Sequence, residues 1–563
     1  MSVDIPPFVV FLAGSLPVAL ARGRMRSVLL VLIPLVSGLQ LAGMQEGQFL
    51  TVQVMGLELV PWRVDRLSLL FAWVFHIAAF IGIVFSLHVR DPVQHIAGLF
   101  YAGSALGAIF AGDLMSLFVF WELLTLSSVF LIWARRTPAA LAAGFRYLVI
   151  QLVSGLIMLA GMLLRYAETG SLAFDYIGLD GLSGWLIFLA IGIKCAFPLL
   201  HNWLTDAYPQ ATPTGAVFLS AFTTKVAVYA LARGFPGTDL LIYIGALMTC
   251  FPIFYAVIEN DLRRVLGYSM INQLGFMVCG IGIGTQLAIN GAVSHAFNDV
   301  IFKGLLFMSM GAVLHMTGRI KGSELGGLYK SMPVTTGLCI VGACSISAFP
   351  LFSGFVSKSM VMAAALQEGY DTIWLALLFA SAGVFRHAGI KVPFFAFFAR
   401  DAGIRTSEPP LNMRLAMCLA ALLCIGIGTW PWPLYSLLPF PVNYAPYTAT
   451  HVIAQLQLLF FAALAFTWLK LSGLYPPERP AVNIDAEWTY RWLGPRIATQ
   501  AMQAIDQWRA LTRFDLLRRI KAVLDIIYLY HGPQGILART WATGSMVLWV
   551  VILLGIYLFA YYT

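Results

Sequence analysis

Apolar residues run through this chain in long unbroken stretches separated by short polar loops. A membrane-spanning helix needs about 20 such residues. Sixteen runs fit, at approximately 5–22, 26–44, 66–87, 95–111, 113–134, 143–164, 183–204, 213–233, 239–258, 264–284, 287–316, 335–366, 373–399, 412–433, 449–472 and 543–561. A transmembrane barrel is excluded, because its strands alternate apolar and polar residues over about ten positions. Only the stretch 50–63 alternates in that way, and it reads as a short hairpin. The eleventh and twelfth runs are long, so each leaves room for a break or a turn. The pattern predicts an all-α, polytopic membrane protein of about 16 transmembrane helices.

Composition agrees. Hydrophobic residues make up 60% of the 563 positions and charged ones 11%, against about 25% charged in a soluble domain. A soluble enzyme is excluded. The net charge of +9 has a topological explanation. Loops after odd-numbered runs carry Arg22, Arg24, Arg26, Arg90, Arg135, Arg136, Arg263, Arg264, Arg319, Lys321, Lys330, Arg400 and Arg405. Loops after even-numbered runs hold mainly Glu46, Glu58, Asp113, Glu168, Asp175, Asp180, Glu368 and Asp371. The positive-inside rule then places the odd loops in the cytoplasm and both termini in the periplasm of a bacterial inner membrane. The first run, preceded by Asp4 and no basic stretch, reads as a retained span. The seven cysteines all fall in apolar stretches without a CxxC pair, as core residues do.

Three regions follow: a transmembrane core over 1–474, a loop and lateral helix over 475–541, and a terminal anchor over 542–563. The middle region opens with YPPERPAV. Over 497–530, Ile497, Met502, Ile505, Trp508, Leu511 and Leu516 recur at helical spacing with Arg509, Arg513, Arg518, Arg519 and Lys521 between them. That is a basic amphipathic helix suited to the cytoplasmic membrane surface. Inside the core, Ala196-Phe197-Pro198-Leu199 in run seven is matched by Ala348-Phe349-Pro350-Leu351 in run twelve. The offset is five runs. An odd offset reverses orientation, so runs 4–8 and 9–13 read as inverted five-helix repeats. Matched interruptions of this kind point to a transport site.

An ionisable residue at mid-membrane costs about 2.5–3.5 kcal/mol on insertion scales. This chain has a series of them. Glu122 lies in run five, Lys194 one turn before Pro198, and Lys225 in run eight. His295, Asp299 and Lys303 recur every four residues in run eleven, on one helix face. Lys358 follows Pro350, and His387 and Lys391 lie in run thirteen. A buried lysine is driven toward neutrality by desolvation and toward charge by a nearby carboxylate. Moving a partner therefore switches its proton affinity. The prolines free backbone groups that water must satisfy, beside Lys194 and Lys358. Glu122 and Lys194 are expected to form an electrostatic pair across runs five and seven, and Asp299 and Lys303 an ion pair. Lys391, near a run end, reads equally as a further ion-translocation residue and as a lysine that snorkels, while interfacial packing is the plainer account of His201 and His315. No phosphate loop, haem pair or nucleophile constellation appears, so neither a cofactor nor covalent catalysis is expected.

The segments GIKCAFPLLHNWLTDAYPQATPTGAVFLSAFTTKVAVY, ENDLRRVLGYSMINQLGFMVCGIGIGT and HAFNDVIFKGLLFM resemble the antiporter-like subunits of respiratory complex I and of Mrp-type cation/proton antiporters. VFLSAFTTKVAVYALARGFPG looks most like the Mrp D subunit. The resemblance covers roughly residues 60–400. It implies fourteen core helices, inverted five-helix repeats, broken helices seven and twelve, and proton-path positions at Glu122, Lys194, Lys225 and Lys358. Partner membrane subunits of a multisubunit complex are expected with it, H+ as a transported ion, and Na+ as one candidate for the second ion, which the sequence does not name. Two features depart from the family pattern. Asp299 stands where the family usually has histidine, which offers sodium a carboxylate ligand or simply neutralises a lysine. The tail beyond 475, absent from simple Mrp D subunits, is similar to that of the distal complex I subunit. The alternatives are a pumping subunit of a complex I-like or hydrogenase redox complex, the membrane partner of an inorganic-carbon uptake module, and a structural subunit with an inactive channel.

Overall fold

The computed structural model describes residues 5–54, 56–475, 478–479, 483–532, 535 and 543–562, apart from the side chains of 512–514. They fall into two compact units, one ending at Ala486 and the other beginning at Glu487. The first unit opens with α1 (Pro7–Leu20) and α2 (Gly23–Ala42), then the strands β1 (Gly47–Val54) and β2 (Leu57–Val64). The strands pair antiparallel, which is the expected hairpin. Next come α3 (Arg66–Ser86), α4 (Pro92–Phe110), α5 (Leu114–Trp133), α6 (Pro138–Thr169), α7 (Gly181–Lys194), α8 (Asn202–Ala207), α9 (Gly215–Ala221) and α10 (Thr223–Gly234). The second half holds α11 (Asp239–Ile258), α12 (Leu262–Ile283), α13 (Gln286–Thr317), α14 (Pro333–Ile346), α15 (Ser353–Gln367), α16 (Asp371–Val384), α17 (Leu411–Thr429), α18 (Trp432–Ser436) and α19 (Ala449–Leu471). A π-helical stretch, Phe385–Lys391, continues α16. The second unit contains α20 (Gly494–His531), over the expected amphipathic segment, and the apolar α21 (Thr543–Tyr562).

Every apolar run of the sequence coincides with a helix or a helix pair. Taking α9 with α10 and α16 with its continuation, thirteen helices among the described residues are long and apolar enough to cross a membrane. Of the two long runs, the twelfth is broken, between α14 and α15. The eleventh is not: α13 runs unbroken for 32 residues, roughly 48 Å at about 1.5 Å per residue. Thr285 caps its N-terminus, and Gly318, in the left-handed conformation, ends it. Side chains on α12 and α13 are buried almost throughout, so this pair forms the centre of the first unit. Gly245 on α11 and Gly275 on α12 let the two helices meet backbone to backbone, as close-packed membrane helices do.

The two AFPL segments interrupt their helices in the same way. Ala196 and Leu199 have φ of 62° and 68°, and Ala348 and Leu351 have 56° and 74°. In the first break, the amides of residues 195, 196, 197 and 200 donate to the carbonyls of 191, 193, 192 and 197. In the second, those of 347, 348, 349 and 352 donate to 343, 345, 344 and 349. The four bonds correspond one for one. Proline supplies no donor and clashes with a continuing helix. The chain therefore turns out through two left-handed residues and resumes as α8 or α15.

Left-handed backbone costs a non-glycine residue about 1–2 kcal/mol. Glycine at Ala348 removes that strain but adds unfolded-state entropy worth about 0.4–1 kcal/mol. Ala348→Gly is therefore expected to leave stability unchanged or raise it by at most about 1.6 kcal/mol. Ala348→Val is expected to lower it. Thermal unfolding of the detergent-purified protein distinguishes the two.

Candidate ion-translocation site

The buried ammonium groups are held chiefly by main-chain carbonyls, most of them at or near helix C-termini. Lys358 on α15 reaches back across its break and donates to the carbonyl of Ile346, the last residue of α14, at 3.0 Å. Lys225, near the start of α10, donates to Ser220 near the end of α9 at 3.1 Å. Lys391 donates to Val257 and Glu259 at the end of α11, at 2.7 Å each. Carbonyls there lack intrahelical partners and carry the negative end of the helix dipole. Lys194 ends α7 and crosses to α5, where it meets the carbonyl of Trp121 at 2.6 Å and the hydroxyl of Thr125 at 2.9 Å. Its ammonium also lies 4.5 Å from the Trp121 ring centroid.

Glu122 is the neighbour of Trp121 on α5, and it pairs with Lys194 at electrostatic range rather than in direct contact. No ion pair within 4 Å links them among the described residues, because the ammonium is taken up by Trp121 and Thr125. The carboxylate instead turns toward α6, where Gly155 makes room for it. A Cβ on Gly155 would collide with Oε1 of Glu122. That oxygen is buried without a hydrogen-bond partner among the described residues, as are both polar atoms of Gln151 one turn earlier on α6. Unpartnered buried polar atoms need hydrogen bonds, which water supplies in such a site.

The second expected pair is replaced. Asp299 and Lys303 share a face of α13, but Asp299 meets Lys225 of α10, with Nζ and Oδ2 2.6 Å apart and both side chains fully buried. Lys303 donates instead to the Ser269 hydroxyl on α12 at 2.8 Å. For Asp299, the lysine one turn away is outcompeted by one across a helix interface, because α12 offers Lys303 a hydroxyl while Lys225 otherwise has only a carbonyl. Asp299 stays within electrostatic range of Lys303 and Lys358 too. The place beside Asp299 that a sodium ion would take is held by the Lys225 ammonium.

His295 lies one turn before Asp299. Its Nδ1 is 3.0 Å from Ser357 Oγ on α15, and its Nε2 is 3.1 Å from Gln273 Oε1 on α12. Gln273 passes on to Asn272 at 2.7 Å, and Asn272 to the Thr249 carbonyl on α11. Sequence reasoning overlooked these partners. Their signal was the polar series Ser269, Asn272 and Gln273 within the apolar α12. Lys391 is separate from this group. Besides capping α11, it pairs with Glu478 at 2.9 Å. His201 was expected to be interfacial packing but carries a buried bond to Asp485 at 3.1 Å. Tyr268 donates to the same carboxylate oxygen at 2.7 Å. Burial pushes the Asp485 carboxyl up, but the bonds and charge of His201 and the Tyr268 hydroxyl outweigh it and hold it below the usual carboxylate range.

Residues 111–384 match the family described as NADH:quinone oxidoreductase/Mrp antiporter, transmembrane. The segment contains every site residue from Glu122 to Lys358. The D subunit of the Na+/H+ antiporter of Alkalihalophilus pseudofirmus is 30% identical over 359 residues, 59% of this chain and 72% of that protein. This chain belongs to that family. The A/B subunit of a probable K+/H+ antiporter of Rhizobium meliloti is 32% identical over 502 residues, and the match spans 77% of this chain but only half of that longer protein. Among solved structures, a chain of the Mrp complex from Dietzia sp. shares the fold with a TM-score of 0.69 at 21% identity, covering 81% of this chain and all of that one. A chain of the membrane-bound sulfane sulfur reductase, an archaeal respiratory membrane complex, gives 0.72 at 20% identity, covering 99% and 100%.

Two outcomes test the geometry. Gly155→Ala displaces the Glu122 carboxylate and is expected to abolish proton flux in membrane vesicles at unchanged protein abundance. Removing one member of a buried ion pair costs about 3–5 kcal/mol, whereas replacing both with apolar residues is often neutral. Lys225→Met and Asp299→Leu are each expected to reduce folded protein, and the double variant to restore it without restoring flux.

Proposed function

We propose that this chain is a proton- and cation-translocating membrane subunit of a multisubunit complex in a bacterial inner membrane, working as a Mrp D subunit does. The observation that carries the reading is the set of buried charges on facing helices: Glu122 and Lys194, Lys225 with Asp299, then Lys303, His295 and Lys358. Asp299 is the pivot. A proton reaching Lys303 or Lys358 creates a second cation that competes with Lys225 for the carboxylate. Loss of that partner favours release of the Lys225 proton, since a buried ammonium without a counter-charge is costly. The charge state of one half is thereby passed to the other. The matching breaks support inverted repeats around this pivot, and the basic loops support termini on the periplasmic side. In this reading Lys391 is a helix cap, and nothing in the chain performs covalent chemistry.

A second reading, a pumping subunit of a redox-driven respiratory complex, has one observation in its favour. The sulfane sulfur reductase chain covers nearly the whole of this one, tail included, whereas the Mrp chain covers less. In both readings α20 lies along the membrane surface as a brace between subunits. Proteins that purify with the tagged chain separate the two: small membrane subunits for the antiporter, a redox module for the pump.

Glu122→Gln is expected to eliminate ΔpH-coupled cation or proton flux in inverted vesicles while the complex assembles normally. Wild-type flux at normal abundance would remove Glu122 from the path.

A further inference from the structure

The segment after α19 returns to the first unit with acidic side chains turned inward. Glu478 meets Lys391, Asn483 donates to Glu259 at 3.1 Å, and Asp485 meets His201 and Tyr268. The last contact is built differently from the other two. His201 directly precedes α8, at the end of the first helix break. Its side chain and that of Asp485 are 2% and 4% exposed. Nε2 faces the carboxylate, while Nδ1 is buried without a partner among the described residues. Both amide atoms of Asn202, the next residue, are likewise buried and unpartnered. The dyad nevertheless lies just below the surface, because Ile484 beside Asp485 is exposed.

We propose that His201 and Asp485 form a proton-loading dyad that feeds the break of helix seven, with the carboxylate supplied by the segment following the membrane core. This rests on the reading of the chain as a proton-translocating subunit. The neutral imidazole donates its Nε2 proton to Asp485 and keeps a free lone pair on Nδ1. A proton from water binds there, giving an imidazolium whose charge the carboxylate balances. The same Nδ1 proton then leaves to water on the inner side, next to Asn202, and the neutral ring is restored. Asp485 remains ionised throughout. An imidazole is suited to this task because it exchanges protons near neutral pH. The titratable groups facing the dyad are Tyr255 of α11 and Tyr268 of α12. The neighbouring charges are Glu259, Arg264, Lys391 and Glu478, gathered at the end of α11.

The test uses the full chain in its native complex, in inverted vesicles with a fluorescent ΔpH probe. Asp485→Asn keeps an oxygen to accept from Tyr268 and His201, so the segment stays docked, but it removes the counter-charge. It is expected to lower proton flux several-fold and to move the pH profile toward lower pH, with abundance unchanged. His201→Gln is expected to lower flux at every pH. Wild-type flux and pH profile in Asp485→Asn would overturn the dyad, as would a loss explained wholly by reduced abundance. Glu122→Gln measured in parallel separates the two levels. If it abolishes flux while Asp485→Asn does not, only the dyad fails. If it too leaves flux intact, the transport reading beneath the dyad fails.

Discussion

An ammonium group inside a membrane needs negative charge and has no bulk water to provide it. The placement of several buried lysines in this chain follows from that constraint. Helix ends are the source of partial negative charge that the fold can make without adding a carboxylate. An uninterrupted bundle has its helix ends at the membrane surfaces. Breaking a helix at Pro350 brings an end into the interior, and Lys358 sits on the carbonyl it exposes. The discontinuity between α9 and α10 does the same for Lys225. The broken helices thus account for how Lys358 and Lys225 are held in the interior, whereas Lys194 and Lys303 use a mid-helix carbonyl and hydroxyls.

Carbonyls hold a lysine without fixing its protonation state, whereas a carboxylate favours the charged form. The buried interior has few carboxylates among several lysines, and they are used differently. Glu122 is kept off Lys194 by Trp121 and Thr125 and lodged against Gly155. Asp299 is bound tightly, to Lys225. The rigid α13 carries His295, Asp299 and Lys303 on one face and so keeps Asp299 close to three lysines that it cannot all neutralise.

Much of this was legible in the sequence, and the limits have a physical pattern. The length of an apolar run is set by bilayer thickness, so each run found its helix. Pro198 and Pro350 lie at the breaks, but Pro17, Pro34 and Pro252 sit inside the continuous α1, α2 and α11, so the matched AFPL segments, not proline alone, marked them. The buried charges announced themselves by their cost. Pairing did not, because it depends on which helices face one another. Helical spacing placed Lys303 one turn from Asp299, yet nothing local records that α10 presents Lys225 to the same carboxylate or that α12 presents Ser269 to Lys303. His201 and Asp485 are 284 positions apart, beyond the reach of any periodicity.

The return of Glu478, Asn483 and Asp485 to the first unit affects where the chain can be cut. A boundary drawn at the end of the last apolar run of the core falls near residue 474, but the first compact unit continues to Ala486. A truncation at 474 removes the lateral helix together with the partners of Lys391, Glu259 and His201. It leaves a buried lysine and a buried histidine without their counter-charges. A stop codon after residue 486 leaves the first unit whole and removes only the second, so any loss of function then belongs to that unit.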